Sequence, residues 1–134
     1  MQRVARAQVR AGEELVAQIG PGLLVLLGIT HSDDETAADR LAQRVLALRV
    51  FDDAEGRLNA PLGDRELLCV SQFTLYADTR HGNRPGFSAA APAEHAEPLY
   101  ERFLAASGAL GGRFGARMEV ELVNDGPLTV LLES

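Results

Sequence analysis

Apolar and polar positions alternate loosely from Arg3 to Val9, through Val4, Arg6, Ala7, Gln8 and Val9, and read as a strand. After the Ala11-Gly12 turn signal, Glu14 to Ile19 predicts the second arm of a hairpin. Gly20-Pro21-Gly22 is another turn signal, and the unbroken apolar run Leu23 to Ile29 predicts a strand buried on both faces. Three such strands in succession suggest an antiparallel meander. Ser32 as N-cap with Glu35 three residues later forms a capping box, with Asp33 and Asp34 favouring a helix start. Leu41, Val45 and Leu48 then recur at helical spacing, so a helix is expected to about Leu48.

Arg49 to Phe51 reads as a short strand, Asp52 to Gly56 as a turn, and the residues to Asp64 as loop. Glu66 to Tyr76 carries Leu67, Leu68, Val70, Phe73 and Leu75 and predicts the strongest strand. Ala77 to Pro92 is a long loop holding Arg80, His81 and Arg84. Ala93 to Leu110 predicts a second helix with Leu99, Phe103, Ala106 and Leu110 on one stripe, ended by Gly111-Gly112; Pro98 fits only near its start. Arg113 to Val123 alternates as a strand, Asn124 to Pro127 is a turn, and Leu128 to Leu132 closes the chain as a last strand. The expected class is α+β: a mainly antiparallel sheet or barrel with two packed helices, as one domain over residues 1–134.

Composition narrows the function. With 134 residues and 46% hydrophobic content, the chain supports a core without disulfides or metals. No apolar run reaches the roughly 20 residues that span a bilayer, and Arg3, Arg6 and Arg10 are followed by no signal-like apolar segment. A cytoplasmic protein with no membrane partner is the expectation. The single Cys69 sits inside an apolar run and reads as a small buried hydrophobe. All thirteen basic residues are arginine, which excludes lysine Schiff-base chemistry and a P-loop. A net charge of −6 opposes broad binding along a duplex, so a nucleic-acid partner would be gripped over a short single-stranded end.

Familiar catalytic signatures are missing: there is no Gly-x-Ser-x-Gly elbow, no His-Glu-x-x-His helix and no metal-ligand spacing. His31, His81 and His95 are scattered and read as surface residues. Two segments stand out instead. Ser71-Gln72-Phe73-Thr74-Leu75 places polar residues in an apolar strand, and alternation would put Gln72 and Thr74 on one face, either lining a pocket or facing solvent. Asn124-Asp125-Gly126-Pro127-Leu128-Thr129 reads, on its own, as an ordinary turn.

Together these segments resemble the D-aminoacyl-tRNA deacylase family, whose Ser-Gln-x-Thr-Leu and Asn-x-Gly-Pro-x-Thr motifs match Ser71–Leu75 and Asn124–Thr129. Further matches are Gln2-Arg3-Val4, Gly22 to Gly28, Leu48 to Phe51, Arg84-Pro85-x-Phe87-Ser88 and Gly112-Arg113-Phe114. The resemblance implies hydrolysis of the ester of D-aminoacyl-tRNA, and of mischarged glycyl-tRNA, by a cofactor-free and metal-free homodimer with active sites at its interface. The partner is the aminoacyl-tRNA acceptor end. A cis Gly126-Pro127 peptide would reach into the other subunit's site and exclude L-amino acids by backbone contact, with Ser71, Gln72, Phe73 and Thr74 as the opposite wall.

Thr74 is either the nucleophile or a positioning group beside a water activated by the terminal 2′-hydroxyl. The second is favoured, because no nearby base is visible. Phe114 and Met118 match family positions beside the bound adenosine, and Arg80, Arg84 and Arg113 are candidate phosphate contacts. The chain departs from the family in its short lead before Gln2, which predicts a first strand that begins short. It also has a short Asn59–Arg65 segment, Gly86 for the usual Ser, and Leu128 for the commoner Val.

Overall fold

The computed structural model describes residues 1–134. The N-terminal elements are β1 (Gln2–Ala11), β2 (Glu14–Ile19), β3 (Gly22–Leu27) and α1 (Glu35–Ala47). The middle holds β4 (Phe51–Asp52), β5 (Leu58–Ala60) and β6 (Glu66–Ser71), followed by a 3₁₀ helix over Phe73–Tyr76. The chain closes with α2 (Ala93–Ser107), β7 (Leu110–Gly111) and β8 (Glu119–Thr129).

β1 is the axis of the sheet. One edge pairs antiparallel with β8; the other is shared by β2 along Ala7–Ala11 and β3 along Gln2–Val4. Ile19 pairs with Ala7 and Gly22 with Val4, three steps on each strand, so one register runs through Gly20-Pro21. β2 and β3 therefore form a single bent line rather than two legs of a meander. Proline and glycine signal a break in local backbone, and here the break is a bend that does not reverse direction.

The other edge of β3 pairs parallel with β6, which pairs parallel with β7. Parallel neighbours need long crossovers; α1 lies within the first and α2 within the second. Contact at the start of the β3–β6 ladder is so close that a Cβ on Gly22 would fall 1.8 Å from the Glu66 carbonyl oxygen. β4 and β5 make a separate small hairpin.

Alternation on β3 and β6 feeds two cores. Leu23, Val25, Leu27, Leu67 and Cys69 face the helices and join Ala42, Val45, Leu99, Tyr100 and Phe103. Leu24, Leu68 and Val70 face the other way, against Val4, Ala7, Val9 and Ile19. Burial on both faces is the reason these strands read as unbroken apolar runs.

Several boundaries differ from the sequence expectation. Asp34, not Ser32, caps α1, its carboxylate accepting the Ala37 N–H at 2.8 Å. The Asp33 carboxylate is turned back to the Thr30 N–H at 2.9 Å. α2 stops at Gly108, which takes φ +73°, so Leu110 leaves the expected stripe and is exposed on β7; Pro98 lies in the second turn. β6 ends at Ser71, and the predicted strand through Tyr76 becomes the 3₁₀ helix. Residues 113–118 are loop rather than strand, while the predicted turn Asn124–Pro127 belongs to β8. β1 starts at Gln2, and Met1 exchanges backbone hydrogen bonds with Val130.

Candidate functional site

β3, β6 and β7 run in one direction, so their carboxyl ends meet at one end of the sheet. Ligands of parallel sheets commonly bind beyond such ends. Leu27 pairs with Ser71 and Cys69 with Gly111, so the segments beginning at Gly28, Gln72 and Gly112 emerge side by side.

The Gln72 N–H still bonds the Leu27 carbonyl at 2.8 Å, but Gln72 itself turns to φ −139°, ψ 81° and breaks the strand. In the 3₁₀ turn that follows, the Leu75 N–H bonds the Gln72 carbonyl at 3.2 Å. Alternation therefore fails as the reason for Gln72 and Thr74 being neighbours. The turn brings them together instead, with the Gln72 side-chain amide donating to Thr74 Oγ1.

Neither residue has an acid–base partner. An amide cannot take the Thr74 proton, whichever way it is turned. His31 is engaged through Nε2 by the Ser88 carbonyl at 2.8 Å, and His95 by the Asp33 carbonyl at 2.8 Å. No triad-like activation of the Thr74 hydroxyl exists. The first N–H groups of a helical turn have no acceptor within it, leaving those at Phe73 and Thr74 as donors.

Phe73 is exposed, and the Phe87 ring meets it edge-on at 5.2 Å. Phe87 is delivered by the long loop, which is firmly tied down. Asp78 and Gly86 exchange backbone bonds of 2.7 and 2.9 Å, Thr30 Oγ1 donates to the Ala89 carbonyl at 2.6 Å, and the Ala91 N–H bonds the Ile29 carbonyl at 2.9 Å.

Phe114 and Met118, expected on one face of a strand, instead flank the sheet from opposite sides. Phe114 packs with the helix-side core and Met118 with the other. Phe114 stacks obliquely on Tyr100 at 5.8 Å. The arginines also separate. Arg80 is held bidentate by Asp78 at 2.8 and 2.7 Å, and Arg113 by Glu14 at 2.8 and 2.9 Å. These guanidinium groups hold the Asp78 and Glu14 carboxyls below the usual range. Arg84 has no acidic partner.

Gly126-Pro127 lies in the antiparallel part of the sheet. Val4 pairs with Asn124 and Gln2 with Thr129, so two steps on β1 oppose five on β8, and the surplus bulges outward. The Gly126-Pro127 peptide is cis, Gly126 has φ +124°, and both residues are exposed. Beneath them sits Arg3, 9% exposed, with Nε donating to the Asp125 carbonyl at 3.0 Å and Nη1 to the Val50 carbonyl at 3.0 Å. The Asp52 and Asp125 carboxylates lie 3.8 and 3.7 Å from the guanidinium. A Cβ on Gly126 would come within 2.8 Å of Arg3 Nη2. Arg3 carried no functional signal in the sequence, because an arginine in an alternating strand reads as a solvent-facing position. No hydrogen bond joins Gly126-Pro127 to Gln72–Thr74 within the chain.

A surface concavity of about 580 Å³ along Pro21, Ala60, Pro61 and Gly63–Glu66 lies at the amino ends of β3 and β6. It is far along the strands from Gln72 and shares none of the residues above. Cys69 is fully buried, and burial pushes its thiol pKa up, as befits a core residue.

Comparison with known proteins places these motifs in context. The family model described as D-Tyr-tRNA(Tyr) deacylase matches residues 1–133. A D-aminoacyl-tRNA deacylase of Symbiobacterium thermophilum is 56% identical over 141 aligned positions, covering 100% of this chain and 93% of the relative. A solved structure described as a c-Myc DNA Unwinding Element Binding Protein superposes with TM-score 0.93 at 41% identity, covering 99% of this chain and 95% of that one. A probable eukaryotic D-amino acid tRNA deacylase gives TM-score 0.78 at 17% identity over 94% of this chain and 92% of its own, a likeness of fold.

Proposed function

Since the chain belongs to the D-Tyr-tRNA(Tyr) deacylase family and is a D-aminoacyl-tRNA deacylase, we propose that it works as a cytoplasmic homodimer with each site completed by two subunits. One subunit supplies Ser71, Gln72, Phe73 and Thr74; its partner supplies Gly126 and Pro127. Support comes from the lack of any hydrogen bond between these two walls within one chain, and from the exposure of Phe73, Thr74, Gly126 and Pro127. The outer edge of β8 is also unpaired, and a second copy would cover it.

In this reading the backbone of Gly126-Pro127 stands against the substrate's chiral centre and leaves room for hydrogen alone. A D-residue turns its side chain away and fits; an L-residue collides. Glycyl-tRNA enters for the same reason as a D-residue.

The observation that carries the chemical part is the Gln72–Thr74 pair with no base beside it. Thr74 then positions the substrate. Water attacks the ester carbonyl, oriented by the 2′-hydroxyl of the terminal adenosine. The 3′-oxygen leaves with a proton, and the N–H groups of Phe73 and Thr74 stabilise the oxyanion. Phe114 and Met118 contact the adenosine. No cofactor or metal takes part. Arg84, free of an acidic partner, is a better phosphate contact than Arg80 or Arg113.

Paired deacylation time courses on D-tyrosyl-tRNA and L-tyrosyl-tRNA test this. Loss of the D-ester alone is expected; equal loss of both would overturn rejection by Gly126-Pro127. Thr74→Val separates the two roles of Thr74. A lost positioning bond lowers kcat/KM about tenfold, whereas a lost nucleophile costs on the order of 10⁶-fold.

A further inference from the structure

Tyr100 is a buried tyrosine whose hydroxyl both donates and accepts, lying between the two segments that leave β6 and β7. Its Oη donates to the Cys69 carbonyl at 2.9 Å and accepts the Gly112 N–H at 3.0 Å. That same N–H also reaches the Cys69 carbonyl at 3.2 Å, closing a triangle of three groups. The arrangement leaves no room for a side chain on Gly111, whose Cβ would lie 2.8 Å from the hydroxyl. Burial raises the Tyr100 pKa to about 12, so the phenol keeps its proton.

β7 is only two residues long and pairs with β6 only through Leu68–Leu110 and Cys69–Gly111. So short a ladder fixes direction poorly. Three residues beyond Cys69 stands Gln72; three beyond Gly111 stands Phe114, whose ring rests on Tyr100.

We infer that Tyr100 is a positioning residue: its hydroxyl fastens the Gly112 segment to β6 and so sets the distance between Phe114 and the Gln72–Thr74 wall. This deepens the proposal above and rests on its assignment of Phe114 to the terminal adenosine. The hydroxyl touches no substrate. It governs how well the two sides of the acceptor-end site match, which is a binding effect ahead of a chemical one.

Tyr100→Phe keeps the ring and removes two sides of the triangle, leaving the Gly112 segment only its 3.2 Å bond to the Cys69 carbonyl. Ser107→Ala is its control: another buried hydroxyl on α2, donating to the Phe103 carbonyl at 2.7 Å and accepting the Ala109 N–H at 3.3 Å, ahead of β7 rather than at the Gly112 segment beyond it. KM and kcat for D-tyrosyl-tRNA are measured for both, and for Phe114→Ala, alongside melting temperature. Tyr100→Phe is expected to raise KM about fivefold, the scale of one hydrogen bond, with kcat within twofold. Ser107→Ala should leave KM unchanged at a similar loss of melting temperature. An unchanged KM in Tyr100→Phe, or an equal rise in Ser107→Ala, overturns the inference. A rise in Tyr100→Phe with none in Phe114→Ala overturns the route through Phe114. No effect of Phe114→Ala, whatever Tyr100→Phe does, removes Phe114 from the proposed site.

Discussion

The two halves of the sheet are built on different principles. The parallel half, β3–β6–β7, is apolar on both faces, sheathed by two helices on one side, and polar only where its strands end. The antiparallel half, β1 with β8, has an exposed outer strand and is fastened at its key point by a buried arginine. The first half makes a stiff frame from which Gln72–Thr74 and Phe114 project. The second holds a backbone loop in place by hydrogen bonds to its carbonyls. The polar side chains proposed for the chemistry sit on the frame, and the element proposed to reject by shape sits on the pinned bulge. Each task has the support it needs, since a shape filter must not yield and a polar wall must have its groups unburied.

Breaking the parallel frame itself should have the largest effect. Gly22→Ala puts a carbon where the Glu66 carbonyl oxygen stands and prevents the β3–β6 ladder from closing at its start. We expect destabilisation beyond about 4 kcal/mol, read as loss of soluble protein or of a cooperative melt.

Next in size is the pin. Arg3→Met leaves the Asp125 and Val50 carbonyls without their donor and removes a charge lying between two carboxylates. About 3 kcal/mol of stability should go, and discrimination between D- and L-tyrosyl-tRNA should narrow while hydrolysis persists. Unchanged discrimination would detach the bulge from chiral selection.

Gly126→Ala sharpens the contrast further, because the site is exposed and stability should suffer less. The added Cβ meets the Arg3 guanidinium on a backbone at φ +124°, at a cost of about 1–3 kcal/mol. D-ester hydrolysis should fall by about a hundredfold, with a melting curve that stays cooperative.

The smallest effect concerns exposed ion pairs. Hydrogen bonds from Arg102, Arg113 and Arg80 hold Asp39, Glu14 and Asp78 below the ordinary carboxylate range. Groups with lowered folded pKa stabilise above their unfolded values near 4 and lose that contribution as pH falls through the lowered ones. Melting temperature should respond little to these groups from pH 8 to about pH 5 and then decline on acidification. Salt should weaken the same contribution.

The sequence made the frame's ingredients legible: the apolar runs of β3 and β6, the periodicity of both helices, and the β1–β2 hairpin. It hid how they join. Parallel pairing of β3 with β6 is a contact between segments about 40 residues apart, and no local pattern encodes it. Local patterns also misled where apolar residues kept alternating after the backbone had turned. Phe73 and Leu75 continue the rhythm of β6 into a 3₁₀ helix, and Phe114, Ala116 and Met118 do so through a loop broken at Gly115, φ +74°. The site motifs were visible through family resemblance, whereas Arg3 and Tyr100 were not. Their importance lies in what the fold brings to them, a carbonyl from Asp125 in one case and an amide from Gly112 in the other.

The bend at Gly20-Pro21 carries one register from β2 into β3, and this makes its length a matter of parity. Side chains on a strand alternate, so a single inserted residue there would exchange the two faces of β3. Leu23, Val25 and Leu27 would turn from the helices toward the opposite core, and Leu24 would take their place. The joint tolerates no odd change in count. Variation in chain length is better accommodated at Asn59–Arg65, where most residues are exposed and no long ladder must stay in phase.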